Sequence, residues 1–251
     1  MILINATRTT TTTTTTTRTL PRFLRFNLPR YYYHYQRPFN TMSAAAAPSK
    51  RIKNQAIFVC DLQDKFRNAI WQFDKILLST QKVLRAAKIL QIPIFVTTQN
   101  GAKLGGIVPE LQPFISEAVV NADKTLFSML TDDVNKGLED GKEKEKEEKR
   151  PVVVIVGIES HICVTQTTLD LLSRGYKVFV LADAVSSCNE QEIPIALARL
   201  RAEGAVVTTS ESWIYETMGD AGIAEFRDMA KLVRESSSDT KSVLSGLFSK
   251  I

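Results

Sequence analysis

Continuous runs of apolar residues alternate along the chain with longer segments in which apolar residues recur every three or four positions. The runs predict strands buried on both faces of a parallel sheet, because a strand with one exposed face would alternate apolar and polar residues. Six such runs are assigned as strands, at 56–60, 92–97, 118–121, 152–156, 177–182 and 205–208.

The segments with a period of three to four residues predict helices. The first of them, 74–91, has Asp74 as its predicted N-cap. Further helices are predicted at 128–138, 164–174, 193–203, 210–218 and 223–234. Strands that alternate with helices in this way predict an α/β domain. We therefore expect a single doubly wound six-stranded parallel sheet with strand order 3-2-1-4-5-6 and helices on both faces.

Three side chains that could take part in catalysis are predicted to lie at one edge of this sheet. Asp61 follows the first strand, Lys124 follows the third, and Cys163 stands where the helix after the fourth strand begins. In the predicted order the first and fourth strands are neighbours, and ligands bind at the carboxyl ends of such strands. A helix N-terminus stabilises a thiolate, and its free N–H groups can bind an oxyanion. A structural cysteine packed under the helix is the alternative.

Histidine is scarce, which limits the choice of proton acceptor for Cys163. The chain has two histidines, and the one in the predicted domain, His161, lies two residues from the cysteine in a tight turn. The carboxylate of Asp61 is the better placed acceptor. Since a carboxylate raises the pKa of a neighbouring thiol, a cation is needed beside both groups, and Lys124 supplies it. The alternative is that Asp61 caps a helix and Lys124 is a surface charge.

Positive charge is concentrated in residues 1–42. They contain six arginines and no acidic residue, with an unbroken threonine run at 9–17. Subtracting those six charges from the formal net charge of +5 leaves −1, so nucleic-acid binding by the rest of the chain is not expected. Such an N-terminus is typical of a mitochondrial transit peptide, and a low-complexity tail without a targeting role is the alternative. Translation from Met42 would give a cytoplasmic form.

Composition also excludes several classes of protein. No segment approaches the roughly 20 consecutive apolar residues that span a bilayer, so no membrane partner is expected. Three widely spaced cysteines indicate neither a disulfide framework nor a structural zinc site. Neither a G-x-G-x-x-G motif nor a Walker A loop is present, and no cofactor is predicted.

The predicted segments are a leader at 1–42, a linker at 43–53, a folded domain at 54–235 with a charged surface loop at 139–150, and a flexible tail at 236–251.

Five segments together resemble a known family. They are VCDLQDKF (59–66), DKTLFSM (123–129), VGIESHICVTQTTLDLL (156–172), DAVSSCN (183–189) and TTSESWIYE (208–216). The set resembles the isochorismatase-like cysteine hydrolases, and within them the mitochondrial isochorismatase domain-containing proteins. The resemblance extends from about residue 54 to residue 234, nearly the whole predicted domain.

The resemblance implies roles for the three side chains at the sheet edge. Asp61, Lys124 and Cys163 would form a catalytic triad with the aspartate as base, the lysine as electrostatic partner and the cysteine as nucleophile. It also implies a cis peptide bond between Ile158 and Glu159. The backbone N–H groups of Glu159 and Cys163 would then form the oxyanion hole.

The resemblance bears on substrate, metal and assembly as well. Phe66, Gln99 and Phe127 are hypothesised to line the substrate pocket, with core packing as the alternative for the two phenylalanines. Metal-dependent nicotinamidases of this superfamily carry an Asp-x-His motif after the second strand, whereas this chain has TTQNG at 97–101. Metal-assisted nicotinamide hydrolysis is therefore disfavoured, and no metal is predicted. Family members commonly assemble, so a homo-oligomer is expected.

The sequence thus predicts a hydrolase that attacks a small amide- or ester-like substrate through Cys163 and a covalent thioester. One alternative is a catalytically silent interaction or scaffold protein that keeps the fold. Another is a nicotinamidase-like amidase without the metal site. A third is a thiol sensor in which Cys163 is oxidised, with Cys60 and Cys188 as candidate resolving cysteines.

Overall fold

The computed structural model describes residues 49–144 and 150–248. The predicted leader at 1–42 and its mitochondrial targeting lie outside the described residues, as do most of the predicted linker and residues 145–149. Within the described ranges, every helix is too short or too polar to cross a membrane.

A parallel six-stranded sheet forms the centre of the fold. Its strands are β1 (Gln55–Cys60), β2 (Ile94–Gln99), β3 (Val120–Lys124), β4 (Val152–Ile158), β5 (Val178–Ser186) and β6 (Val206–Thr208). They are ordered β3-β2-β1-β4-β5-β6, and every neighbouring pair is parallel. The predicted α/β class and strand order are confirmed.

Helices cover both faces of the sheet. Along the described chain they are α1 (Phe73–Leu90), α2 (Gly101–Leu104), α3 (Gln112–Ile115), α4 (Asp132–Lys144), α5 (Cys163–Ser173), α6 (Glu192–Ala202), α7 (Ser210–Met218), α8 (Phe226–Glu235) and α9 (Ser237–Phe248). Residues of α1, α7 and α8 join the hydrophobic cluster on one face, and residues of α4, α5 and α6 join the cluster on the other. Helix α9 packs on α1.

Strand β1 lies at the centre and contributes to both hydrophobic clusters. Ile57 and Val59 belong to the cluster on one face, whereas Ala56 and Phe58 belong to the cluster on the other. All four side chains are buried. An unbroken apolar sequence is what a strand covered on both faces requires.

Helix α4 begins at Asp132, later than the predicted start at residue 128. Residues 125–129 form bends instead of helix. In these bends the carbonyl oxygens of Leu126 and Phe127 accept hydrogen bonds from Lys124 Nζ. Lys124 thus donates hydrogen bonds to two carbonyl oxygens that would accept from backbone N–H groups if this segment were helical.

Three further predictions are corrected by the structure. The predicted flexible tail after residue 236 forms α9, because Val243 is buried there and Thr240 accepts a hydrogen bond from Lys82. The predicted surface loop at 139–150 is helical as far as Lys144, where α4 ends. The N-cap of α1 is Gln72, and Asp74 lies in the first turn, where its carboxylate accepts a hydrogen bond from an arginine.

Candidate active site

Three elements that meet at the carboxyl edge of the sheet bring three side chains together. Asp61 directly follows β1, Lys124 is the last residue of β3, and Cys163 is the first residue of α5, which follows β4. Lys124 Nζ lies 2.7 Å from Asp61 Oδ2 and 3.7 Å from Cys163 Sγ. All three residues are buried. Residues separated by up to about a hundred positions in the chain thus form one contiguous polar cluster.

Asp61 is held through its backbone and through both carboxylate oxygens. Its φ of 52° lies in the left-handed region, which aspartate tolerates better than most residues. Its N–H donates to the carbonyl oxygen of Thr97 at 3.2 Å. The Oγ1 of Thr97 donates to Oδ1 at 2.8 Å, and Lys124 donates to Oδ2. With a donor on each oxygen, the buried carboxylate has a fixed orientation and a paired charge.

The ammonium group of Lys124 is surrounded by acceptors. Besides the carboxylate of Asp61, Gln99 Oε1 lies 2.6 Å from Nζ. The carbonyl oxygens of Leu126 and Phe127 lie 3.1 Å and 3.3 Å away. The lysine therefore has a single well-defined position between the carboxylate and the thiol.

The electrostatic surroundings keep Lys124 charged. Burial by itself lowers the pKa of Lys124, but the neighbouring Cys60, Asp61 and Cys163 groups raise it, and the net pKa lies above the ordinary value for lysine. A lysine with a raised pKa is a cation at neutral pH. The site therefore holds a permanent positive charge within hydrogen-bonding distance of the thiol.

The turn before α5 leaves backbone donors beside Cys163. The peptide bond between Ile158 and Glu159 is cis, at the position that the family resemblance implies. Among the backbone hydrogen bonds formed outside helices and strands in the described residues, none has the N–H of Glu159 or of Cys163 as donor. Both N–H groups are thus available to a substrate oxygen, and the oxyanion hole remains a prediction. Cys163 itself is 7% exposed.

A second thiol in the site, Cys60, was not assigned a role in catalysis by the sequence analysis. Its Sγ lies 3.6 Å from Asp61 Oδ2. The two sulfur atoms of Cys60 and Cys163 and a carboxylate oxygen of Asp61 all lie within 4.8 Å of one another. Burial raises the pKa of Cys60 well above its ordinary value, and its hydrogen bond with Cys163 and the charge of Asp61 act in the same direction. Cys60 is therefore a neutral thiol at neutral pH.

Comparison with known proteins shows which family the chain belongs to. The model of the isochorismatase domain matches residues 55–212, which contain all three clustered side chains. The chain belongs to the isochorismatase family.

Several relatives of this isochorismatase family member share most of its length. The secreted isochorismatase effector Isc1 of Phytophthora sojae is 39% identical over 77% of this chain and 93% of its own length. Isochorismatase domain-containing protein 2 of Homo sapiens is 38% identical over 82% of this chain and 96% of its own. A solved structure of the MAR1 ribonuclease from Caenorhabditis elegans superposes with a TM-score of 0.66 and is 38% identical, covering 72% of this chain and 90% of that one.

In this isochorismatase fold the three predicted pocket residues occupy different surroundings. Gln99 contacts Lys124, as described, and its Nε2 donates to Thr125 O at 3.0 Å. Phe127 is 51% exposed and close in sequence to the site lysine. Phe66 is partly buried and packs against the hydrophobic cluster that includes residues of α1, which agrees with the alternative of core packing. The placement as a pocket wall therefore stays a prediction for both phenylalanines.

One residue that supports the site was missed by sequence reasoning. Gln63 is fully buried, and its amide nitrogen donates to the carbonyl oxygens of Gln99 and Gly105 at 3.1 Å and 2.7 Å. Its Oε1 accepts from the N–H of Gln99 at 2.7 Å. Gln63 thus fixes Gln99, which in turn contacts the lysine. The only sequence signal is that Gln63 is a polar residue two positions after Asp61.

Proposed function

We propose that the protein is a cysteine hydrolase that cleaves a small amide- or ester-like substrate through a thioester on Cys163. One observation carries the proposal: the Lys124 ammonium lies between the carboxylate of Asp61 and the thiol of Cys163, with all three side chains buried. A buried charged cluster beside a nucleophile is costly for stability, and such clusters occur at active sites. The isochorismatase family match supports a hydrolase.

In the proposed acylation step, Asp61 accepts the thiol proton of Cys163 as Sγ attacks the substrate carbonyl carbon. The carbonyl oxygen gains the negative charge and binds to the N–H groups of Glu159 and Cys163. The tetrahedral intermediate then collapses, and the amine or alcohol leaves with the proton returned by Asp61. The product of this half-reaction is a thioester at Cys163.

In the proposed deacylation step, Asp61 takes a proton from water, and the resulting hydroxide attacks the thioester carbon. The C–S bond breaks, the carboxylic acid leaves, and Asp61 returns its proton to Sγ, which restores the Cys163 thiol and the Asp61 carboxylate. Throughout both steps Lys124 keeps its charge, because its pKa is raised. It stabilises whichever of the two neighbouring groups is negative, and this allows one proton to move between them.

The test is the rate at which a small electrophile alkylates Cys163, measured from pH 6 to 9. Wild type, Lys124→Ala and Asp61→Asn are compared in a Cys188→Ser background, which removes the exposed thiol. We expect Lys124→Ala to slow alkylation at neutral pH, since the thiolate loses its neighbouring cation. Identical profiles in all three proteins would contradict the proposed proton relay.

A screen of small amides and esters follows with Cys163→Ala as the inactive control. Trapping of an acyl group on Cys163, detected by mass spectrometry, would support the thioester. Hydrolysis that survives in Cys163→Ala would contradict it. A binding partner recovered equally by wild type and by Cys163→Ala, together with no turnover of any substrate, would favour the scaffold alternative.

A second candidate activity comes from one relative. The C. elegans protein, 38% identical, is named a ribonuclease. Cleavage of RNA is therefore assayed beside the amide screen, with Asp61→Asn and Cys163→Ala as controls. RNA cleavage that both variants abolish would assign the same site to phosphodiester hydrolysis, whereas cleavage that neither affects would indicate a contaminating nuclease.

We further propose a homo-oligomer and mitochondrial import of the long form. The Escherichia coli YcaC gene product, which shares the fold with a TM-score of 0.60 at 21% identity, is described as octameric. Sedimentation of the purified protein tests the first proposal, and a monomeric mass would contradict it. Imaging of the full chain beside a variant that starts at Met42 tests the second, and identical distributions would contradict it.

A further inference from the structure

A cluster of side chains that could bind a metal lies outside the active site, on the solvent side of the turn that precedes Cys163. This turn, residues 159–162, is called the nucleophile turn below. The cluster consists of Glu159 and His161, both in the nucleophile turn, and of Cys188, in the loop after β5. One ligand atom from each of the three lies within 4.8 Å of the others. Glu159 and His161 are half-buried and Cys188 is exposed, so the cluster is preformed on one side and open to solvent on the other.

We infer that Glu159, His161 and Cys188 form a binding site for a zinc-type divalent cation. Imidazole nitrogen, thiolate sulfur and carboxylate oxygen are the three ligand types that zinc takes in proteins. Three protein ligands and one open position form the usual arrangement of an accessible zinc site, and the exposure of Cys188 leaves room for water or an outside group. Binding replaces the thiol proton of Cys188, which is released to the buffer as the Zn–S bond forms.

Hydrogen bonds already orient two of the three ligands, the His161 ring and the Glu159 carboxylate. The Nδ1 of His161 lies 2.9 Å from Ser187 Oγ, and a hydrogen bond of this kind commonly fixes the ring of a metal-binding histidine. Glu159 Oε2 accepts from the N–H of Cys188 at 2.7 Å, which connects the turn to the loop after β5. None of the salt bridges among the described residues involves Glu159, so its charge is not already paired with a lysine or arginine.

The other group of possible ligands in the described residues is less suited to a cation. It consists of Cys60, Asp61 and Cys163. Lys124 Nζ already lies 2.7 Å from the carboxylate and 3.7 Å from the Cys163 thiol, and its positive charge would repel a metal ion there. A cation is therefore expected at the outer cluster and not in the active site. Because the outer ligands Glu159 and His161 belong to the turn that carries Cys163, an ion bound to them would also fix that turn.

The test is a titration of the full chain with Co²⁺, whose thiolate complex gives a charge-transfer absorption in the near ultraviolet, followed by competition with Zn²⁺. The Cys163→Ala protein is the starting point, because it removes the nucleophile as a competing ligand. We expect one ion per chain and a charge-transfer band. Cys188→Ser in this background should abolish the band, and His161→Asn should weaken binding by about tenfold or more, since even the loss of an outer hydrogen-bond partner has an effect of that size.

Cys60→Ala in the same background is the matched control, because it removes a buried thiol that is not part of the outer cluster. It should bind Co²⁺ as tightly as the starting protein. No band in the Cys163→Ala protein would overturn the inference. A band that persists in Cys188→Ser and disappears in Cys60→Ala would also overturn it, because the ion would then lie in the active site. Unchanged circular dichroism establishes that each variant is folded. The readout does not depend on hydrolysis, so it stands or fails separately from the proposed function.

Discussion

Lys124 and Asp61 form a buried ion pair in which Nζ and Oδ2 are 2.7 Å apart and neither side chain is more than 2% exposed. Removing one partner of such a pair leaves the other charge buried and unpaired. We therefore expect Lys124→Met to lower the free energy of unfolding by about 3–5 kcal/mol. Urea denaturation measures the change.

An exposed lysine provides the control for this substitution. Lys231 pairs with Glu235 at 3.9 Å, and its side chain is 68% exposed. Lys231→Met should change the free energy of unfolding by no more than about 1 kcal/mol. Equal effects of the two substitutions would mean that the burial of the Lys124–Asp61 pair has no energetic consequence.

The raised pKa of Lys124 predicts how the contribution of the Lys124–Asp61 pair to the free energy of unfolding depends on pH. A cation whose pKa is higher in the folded than in the unfolded state contributes stability that is complete below the unfolded pKa, about 10.4 for lysine. The contribution is lost as the pH rises through the higher folded pKa. The difference in unfolding free energy between wild type and Lys124→Met should therefore be constant from pH 7 to 10 and shrink above that range. A difference that grows between pH 8 and pH 10 would mean that burial lowers the folded pKa instead.

The sequence predicted which edge of the sheet carries the candidate active site, because the apolar runs mark where strands end. Asp61 directly follows such a run, Cys163 begins the helix after another, and the parallel strand order then brings them together. The same reasoning named Cys60 only as a candidate resolving cysteine and did not place it in the cluster with Asp61 and Cys163, because a cysteine at the end of an apolar strand has the pattern of a core residue. It missed Gln63, since an amide that bonds to backbone groups of a distant loop produces no periodic signal in the sequence.

Gly157 is predicted to be the glycine at which alanine is least tolerated beside the site. Its φ is +116°, and a Cβ there would lie 2.1 Å from the carbonyl oxygen of Cys60 in the neighbouring strand. Gly204 has a similar φ of +105°, but nothing lies within 4 Å of its Cβ position. Gly204→Ala should cost about 1–3 kcal/mol for the backbone conformation alone. Gly157→Ala should cost at least about 1–3 kcal/mol more, because strands β1 and β4 must move apart.

Thermal unfolding of the two alanine variants measures this difference. The pair separates backbone strain, which both variants share, from the collision, which occurs only at Gly157. If Gly157→Ala is no less stable than Gly204→Ala, the close approach of β1 and β4 at this position is not a constraint. A parallel loss of Cys163 alkylation in Gly157→Ala would show that the approach also positions the nucleophile turn.

The thiol of Cys188 should react more slowly than an ordinary cysteine despite its exposure. Its hydrogen bond to the Glu159 carboxylate raises the pKa of Cys188, and burial and the negative charge of Glu159 act in the same direction. Glu159→Gln removes that charge, so the pKa should fall and alkylation at pH 7.5 should become faster. The rates are compared in a Cys60→Ala, Cys163→Ala background so that a single thiol reports. A slower reaction in Glu159→Gln would contradict this account.

Helix α9 is predicted to be an integral part of the domain and to contribute measurably to its stability. Val243 is 1% exposed, whereas the next residue, Leu244, is 37% exposed. Val243→Ala removes two buried carbon atoms and should lower the free energy of unfolding by about 1–2 kcal/mol. Leu244→Ala removes a larger side chain but should cost less, because much of that side chain is already in contact with water. Urea denaturation of both variants tests the order of the effects, and a larger loss from Leu244→Ala would mean that α9 presents its other face to the domain.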